Sequence, residues 1–189
     1  MNKYKKYKWF FTASGKLVIG GKSAEQNDSL IKEMKESKED FIVMHTSSPG
    51  SPFSFIVSKI KEVTKKDLEE CAIFTACFSR AWKNKKKNEE IHIFKLSDLV
   101  KSQKMKTGTW AVLGKPKKIK VNLELCLTIQ DNVLRAVPES SVKNKDKLLK
   151  IIPGDKDKKD LLPKIKAKLP TFTDEEILSA LPAGGIKIK

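Results

Sequence analysis

Short runs of apolar residues, spaced as strands, dominate the first 60 residues of the 189-residue chain. Residues 8–12 (Lys-Trp-Phe-Phe-Thr) and 16–20 (Lys-Leu-Val-Ile-Gly) are aromatic or β-branched and are joined by Ala13-Ser14-Gly15, which predicts a β-hairpin. The spacing then changes. Ser23 stands three residues before Gln26, as in a capping box, and Leu30, Ile31 and Met34 follow at helical intervals. Strands are expected at 41–45 and 53–58, on either side of the Ser-, Pro- and Gly-rich loop 46–52. The longest helix is expected to begin at Thr64, with Asp67 in its first turn and a buried stripe of Leu68, Cys71, Ala72, Thr75, Phe78 and Trp82. It ends in the basic run 82–88, where cations suit the negative end of the helix dipole.

Beyond it, strands are expected at 91–95 and 109–113, followed by a longer pair, 119–129 and 133–137, turning through Gln130-Asp131-Asn132. Residues 138–147 are polar and read as a linker. A strand at 148–152, a turn at Pro153-Gly154 and a helix from about Asp157 follow, and Pro163 is expected to kink or break that helix. A last helix, capped by Thr173 with Glu176 at the box position, stops before Pro182. The pattern predicts an α+β fold: a mostly antiparallel sheet packed with two main helices, plus a small α/β C-terminal tail. The expected division is a domain over 1–137 and a small basic extension over 138–189.

Charge narrows the function classes. The net charge is +16, and a folded body with that excess repels itself unless a polyanion is its partner. Of the 39 basic residues only Arg80 and Arg135 are arginines. Lysine is a hydrated point charge, so contact with phosphate is favoured over reading of base edges; a lysine-rich proteome would produce the same ratio. The three cysteines, Cys71, Cys77 and Cys126, are odd in number, which fits a reducing cytoplasm, and Cys71 and Cys77 read as core residues. No apolar run reaches 18 residues, and the basic start lacks the apolar stretch of a signal peptide, so neither a membrane span nor secretion is expected.

Candidate chemistry is sparse. Gly20-Gly21-Lys22 lies between a strand and a capped helix without matching either glycine-rich nucleotide fingerprint. Two readings stay open there: glycines that let the chain turn, and a phosphate contact at a helix start. His45 and His92, the two histidines, lack zinc spacing, and no Cys-x-x-Cys, nucleophile elbow or acid pair stands out, so no cofactor or metal is expected and no enzyme is indicated. An enzymatic alternative would place His45 and Arg80 near a phosphate held by the glycine loop. Residues 101–120 carry seven lysines and no acid around Trp110, and Lys83, Lys85, Lys86 and Lys87 form a second basic cluster. Lysines beside aromatic rings suit single-stranded or looped RNA, although Trp82 and Trp110 lie on apolar faces and are expected in the core.

The phrases "KWFFTASGKLVIGGKSAEQND", "FSRAW" (78–82) and "KTGTWAVLGKPK" (106–117), in that order and spacing, resemble the NFACT-R domain, the C-terminal part of the NFACT proteins of ribosome quality control. The later "IIPGDKDKKDLL" and "DEEILSALPAGG" look like the tail that follows it in archaeal members. The resemblance implies a module that helps hold tRNA or ribosomal RNA on a large subunit carrying a stalled nascent chain. By matching position it implies RNA contacts from Gly20, Gly21, Lys22, Gln26, Asn27, Arg80, Lys83, Lys115, Lys117 and Lys118; His45, and Lys85 and Lys86 from the basic cluster, complete the expected RNA-binding set. Family members often carry a loop resembling "HADLHG" after the middle strand, where this chain has His45 followed by "TSSPGSPF". The NFACT-N domain, helix-hairpin-helix segment and coiled coil are missing from these residues. Nascent-chain tailing is therefore not expected of this chain alone, and a separate NFACT-N protein is a possible docking partner.

Overall fold

A computed structural model of the chain describes residues 3–143 and 149–189. β1 (Lys8–Phe11) and β2 (Leu17–Gly20) form the expected hairpin, with Lys8 opposite Gly20. α1 (Ala24–Glu36) starts at Ser23, whose hydroxyl accepts the Gln26 N–H at 3.2 Å. β3 (Ile42–Thr46) and β4 (Ser54–Val57) flank the 46–52 loop. α2 (Lys65–Cys77) carries a reciprocal capping box between Thr64 and Asp67.

The long helix does not reach Trp82. It stops at Cys77, and Ser79 starts the separate short helix α3 (Arg80–Lys83). The Ser79 hydroxyl donates to the Ala76 carbonyl at 2.7 Å and accepts the Ala81 N–H at 3.0 Å, so a side chain takes over main-chain groups that a continuous helix would pair. The Arg80 N–H leaves the ladder altogether and donates to the Gly50 carbonyl at 2.9 Å. That break points the start of α3 at the 46–52 loop.

β5 (Asn88–Lys95) begins three residues before the expected strand. The expected strand at 109–113 shrinks to β7 (Ala111–Val112), paired with β6 (Leu99–Val100) in a two-stranded ribbon. Gly108 and Gly114, at φ +76° and +74°, turn the chain away on either side of it. The expected strand at 119–129 is two strands, β8 (Lys117–Asn122) and β9 (Leu125–Gln130), in different sheets. At the break, the Leu123 N–H donates to the Lys87 carbonyl at 3.0 Å. β10 (Val133–Val137) closes on β9 through Asp131 and Asn132, both at positive φ, as a two-residue hairpin requires.

The expected linker is only partly one. Ser141, the last residue of a short 3-10 turn, and Val142 after it are buried, while 144–147 lie outside the described residues, as does Leu148 at the start of the next expected strand. β11 (Leu149–Lys156) runs through Pro153-Gly154 with a register shift instead of turning there. α4 (Lys158–Lys166) continues through Pro163, which is exposed, so water can replace the missing donor. α5 (Asp174–Ala180) keeps its Thr173–Glu176 capping box, and β12 (Ile186–Ile188), which no sequence signal predicts, ends the chain.

Among the described residues the strands form a six-stranded sheet, β1-β2-β4-β3-β5-β8, and a four-stranded sheet, β10-β9-β11-β12, with every pairing antiparallel. The division expected after residue 137 falls inside the second sheet, since β9 and β10 precede it and β11 and β12 follow it. Side-chain alternation assigns two cores to the large sheet. Trp9, Ile19, Phe55, Val43 and Phe94 line up across five strands and are covered by Leu30, Ile31 and Met34 of α1. Phe10, Val18, Ile56 and Met44 face α2, and that core continues into the second sheet through Leu127, Leu134 and Ile151. Each such fully buried side chain contributes about 1.5–3 kcal/mol of transfer free energy. The result is an α+β body.

Candidate nucleic-acid interface

A cleft of about 600 Å³ opens where the turn after β2, the 46–53 loop, the break before α3 and the segment 107–110 meet. Local sequence explains each wall. Asn27, buried in the first turns of α1, accepts the Phe53 N–H at 3.1 Å and donates to the Ser51 carbonyl at 3.4 Å, clamping the loop to the helix. A Cβ on Gly21 would lie 2.3 Å from the Asn27 Oδ1. Neither Gly20 nor Gly21 has a positive φ, so these glycines serve close packing and not a left-handed turn. The anion-nest reading also changes: the Lys22 N–H is taken by Gln26 Oε1 at 3.0 Å, and the Gln26 N–H by Ser23. The Lys22 ammonium lines the cleft beside Ser23 and Ala24 at the helix start.

Arg80 enters from the opposite wall. Gly50, at φ +108°, accepts its N–H, and a Cβ there would lie 2.5 Å from the Arg80 Cδ, so only glycine lets the arginine side chain pass. His45 packs on Phe53 with ring centroids 4.4 Å apart, and its Nδ1–H donates to the Thr46 carbonyl at 2.8 Å. Burial pushes the His45 pKa down, and His92 directly across the sheet adds to that, against the Thr46 hydrogen bond. Trp110 forms part of the cleft wall, contrary to the expectation that it lies in the core; its indole N–H donates to Asp28 at 2.7 Å, and Asp28 also takes Lys101 at 2.6 Å. Trp82 is in the core as expected, with Nε1–H donating to the Gly185 carbonyl at 3.1 Å.

The electrostatics are one-sided. Lys8, Lys22 and Arg80 line the cleft, no aspartate or glutamate does, and none of the three makes an ion pair among the described residues. The Lys8 ammonium lies 4.4 Å from the centre of the Phe78 ring. Burial lowers the Lys22 pKa, with Arg135 adding to it. The cations share the cleft with the rings of Phe78 and Trp110, while Phe53 is buried beneath His45.

Gly21, Lys22, Asn27, His45 and Arg80 therefore meet in one cleft. Gly20 sits behind it, packed on Pro52 and Ser54, and Gln26 only braces Lys22. The remaining candidates do not line it. Lys83 packs on Gly184, Lys85 pairs with Asp155, and Lys86 pairs with Glu89 at 2.7 Å, so that cluster faces the C-terminal region. Lys115, Lys117 and Lys118 are exposed at the start of β8, with Lys118 paired to Glu90 at 3.0 Å; Lys118 stands across from His92, one strand beyond the cleft wall. Sequence reasoning missed Lys8, Gly50, Phe53 and Phe78. Lys8 is one lysine in a run of them, and the others become site residues only when the 46–53 loop reaches the end of α2. No group of residues able to hold a metal ion, and no helix long and apolar enough to cross a membrane, occurs among the described residues.

Comparison with known proteins follows the same lines. The family model described as the NFACT protein RNA binding domain matches residues 6–114. The archaeal Rqc2 homolog aRqcH of Methanocaldococcus jannaschii is 31% identical over 98% of this chain, which spans only 29% of that relative. The ribosome quality control complex subunit NEMF homolog of Drosophila melanogaster is 30% identical over 42% of this chain and 8% of its own length. The C-terminal part of the fibronectin/fibrinogen-binding protein of Streptococcus suis shares the fold, with a TM-score of 0.55 at 20% identity over 64% of this chain and 47% of that one.

Proposed function

The chain belongs to the NFACT RNA-binding domain family, and on that premise we propose that it is a non-enzymatic RNA-binding module of ribosome quality control that grips tRNA or large-subunit rRNA through the cleft. The observation that carries this reading is the cleft's lining: three unpaired cations and several aromatic rings with no carboxylate among them. Phosphates would meet Lys8, Lys22 and Arg80, and the rings would take bases that leave the stack. A cytoplasmic location belongs to the same proposal, because the large subunits it would engage work there.

The test is direct. Neutralising six phosphates makes log K fall against log salt with a slope of roughly −5. Fluorescence anisotropy on labelled tRNA and on an rRNA stem-loop, across a salt series, measures it; a flat response rejects the proposal. Crosslinking followed by sequencing names the RNA, with tRNA or large-subunit rRNA enriched. A pull-down repeated after RNase treatment separates RNA binding from direct docking on an NFACT-N protein.

One observation favours a second reading, a small RNA-processing enzyme: His45, His92 and Arg80 share the cleft. Two imidazoles and a guanidinium could pass protons and hold a phosphate. Incubating end-labelled RNA with the protein and with the His45→Ala variant decides between the two. Cleavage lost in the variant supports catalysis, and intact RNA supports binding alone.

A further inference from the structure

Lys8 opens β1 at the seam between the two sheets, beside the Phe78 ring. The charges of three more cations from separate elements act on it: Lys22, which shares the cleft, from the turn after β2, Arg135 from β10 and Lys158 from the first turn of α4. Their placement is fixed by packing. The Arg135 Nε–H donates to the Trp9 carbonyl at 3.0 Å, and its guanidinium lies 4.7 Å from the centre of the Trp9 ring. The Lys158 ammonium donates to the Pro182 carbonyl at 3.0 Å, and Lys8 and Lys22 both reach the cleft. None of the four makes an ion pair among the described residues.

With Asp157, beside Lys158, as the one counter-charge acting on these groups, their mutual repulsion works against the folded state. Burial, and then the charges of Arg135, Lys22 and Lys158, push the Lys8 pKa down to about 8. Burial alone brings Arg135 down to about 10, and it lowers Lys158 against the opposing pull of Asp157. An oxyanion placed among them opposes these shifts, because its attraction favours each charged form.

We propose that Lys8, Lys22, Arg135 and Lys158 form a second phosphate subsite at the seam of the two sheets, which takes a phosphodiester of the strand leaving the cleft. The inference rests on the RNA-binding reading and extends it. Arg135 and Lys158 lie beyond residues 6–114, so the C-terminal region becomes part of the binding surface and not only a structural annex. A phosphodiester is the fitting ligand because Lys8 and Lys22 belong to both subsite and cleft, which makes the two continuous along one strand.

The test uses the full chain. Lys158→Ala and Lys8→Met, the second keeping an apolar stem against Phe78, are titrated with a single-stranded RNA oligonucleotide over a salt series, beside Lys164→Ala on the same helix. Each subsite variant is expected to bind several-fold more weakly and to lose about one unit of salt slope, while Lys164→Ala matches the parent. In parallel, NMR titration of the Lys8 side chain should show its pKa rising when the oligonucleotide binds. Wild-type affinity and slope in both variants would overturn the subsite and leave the RNA-binding reading standing. Absence of salt-dependent RNA binding in the parent protein would overturn that reading itself. A Lys8 shift with inorganic phosphate but not with RNA would overturn the phosphodiester assignment.

Discussion

The side-chain amide of Gln130 pairs with both main-chain groups of Phe11: Oε1 accepts the Phe11 N–H at 2.7 Å, and Nε2 donates to the Phe11 carbonyl at 2.9 Å. Gln130 thus stands in for a missing strand at the β1 edge and fastens the second sheet to the first. Gln130→Ala leaves both groups short of a partner and should cost about 1–3 kcal/mol, read as a lower urea midpoint with little change in m. Gln130→Glu keeps the acceptor but loses the donor to Phe11, and an intermediate loss is expected.

Asp67 sets the acid limit. Burial raises its pKa, but hydrogen bonds from Ser14, Thr12 and Thr64 outweigh that and hold it well below the usual carboxylate range. Lys16 adds an ion pair at 3.1 Å. A depressed carboxylate stabilises the fold above its unfolded pKa of about 4, and that contribution disappears as pH falls through the lower folded value. Stability should therefore drop below about pH 4, and Asp67→Ala, which loses both the cap and the pair, should remove about 3 kcal/mol at neutral pH. Thermal melts between pH 2 and 7 measure both effects.

Reversing a cleft charge should differ from reversing one elsewhere. Lys22→Glu combined with Arg80→Gln should weaken RNA binding at least tenfold and lower the salt slope by about two units. Lys118→Glu, at a position already paired with Glu90, should have a smaller effect. Anisotropy at matched salt makes the comparison, and equal losses would remove the cleft from the argument.

Gly50→Ala tests how Arg80 is positioned. Its φ of +108° and the contact with Arg80 Cδ both oppose a methyl group. A stability loss of about 1–2 kcal/mol is expected. RNA affinity should fall as it does in Arg80→Gln, and adding Arg80→Gln to Gly50→Ala should bring little further loss of affinity.

The Lys8 ammonium makes binding and stability respond to pH in opposite directions. Its folded pKa of about 8 lies below the unfolded value of about 10.4. Below pH 8 both states hold the proton and the folded state bears the full penalty. Between about 8 and 10.4 only the unfolded chain holds it, so the stability of the free protein rises with pH across that window. RNA affinity moves the other way, weakening above pH 8 as the ammonium is lost. Lys8→Met should flatten both trends, in denaturation and anisotropy series from pH 7 to 10.5.

Much of the fold was legible because local physics wrote it. Trp9-Phe10-Phe11 and Leu17-Val18-Ile19 alternate between two apolar faces, and Thr64 with Asp67 caps a helix through neighbours alone. Misreadings arose where a distant partner outweighed the local pattern. Ser79 ends α2 while Gly50 takes the Arg80 N–H; Leu123 leaves its strand for the Lys87 carbonyl; Gly108 and Gly114 turn the chain on either side of β7. Of the candidate RNA contacts, Gly21, Lys22, Asn27, His45 and Arg80 reach the cleft, whereas Gly20, Gln26 and the lysines at 83–86 and 115–118 stand apart from it.

By itself the sequence determined that the protein is an α+β body with a large cationic excess, because periodicity and charge need no knowledge of what touches what. Tertiary structure alone decided which cations matter. Lysines that look equivalent along the chain differ in whether the fold carries them into a cleft free of carboxylates, and that is set by how Gly21, Asn27 and Gly50 bring separate elements together around Lys8, Lys22 and Arg80. A lysine in that cleft and one outside it are the same letter, and only the packing of distant elements separates them.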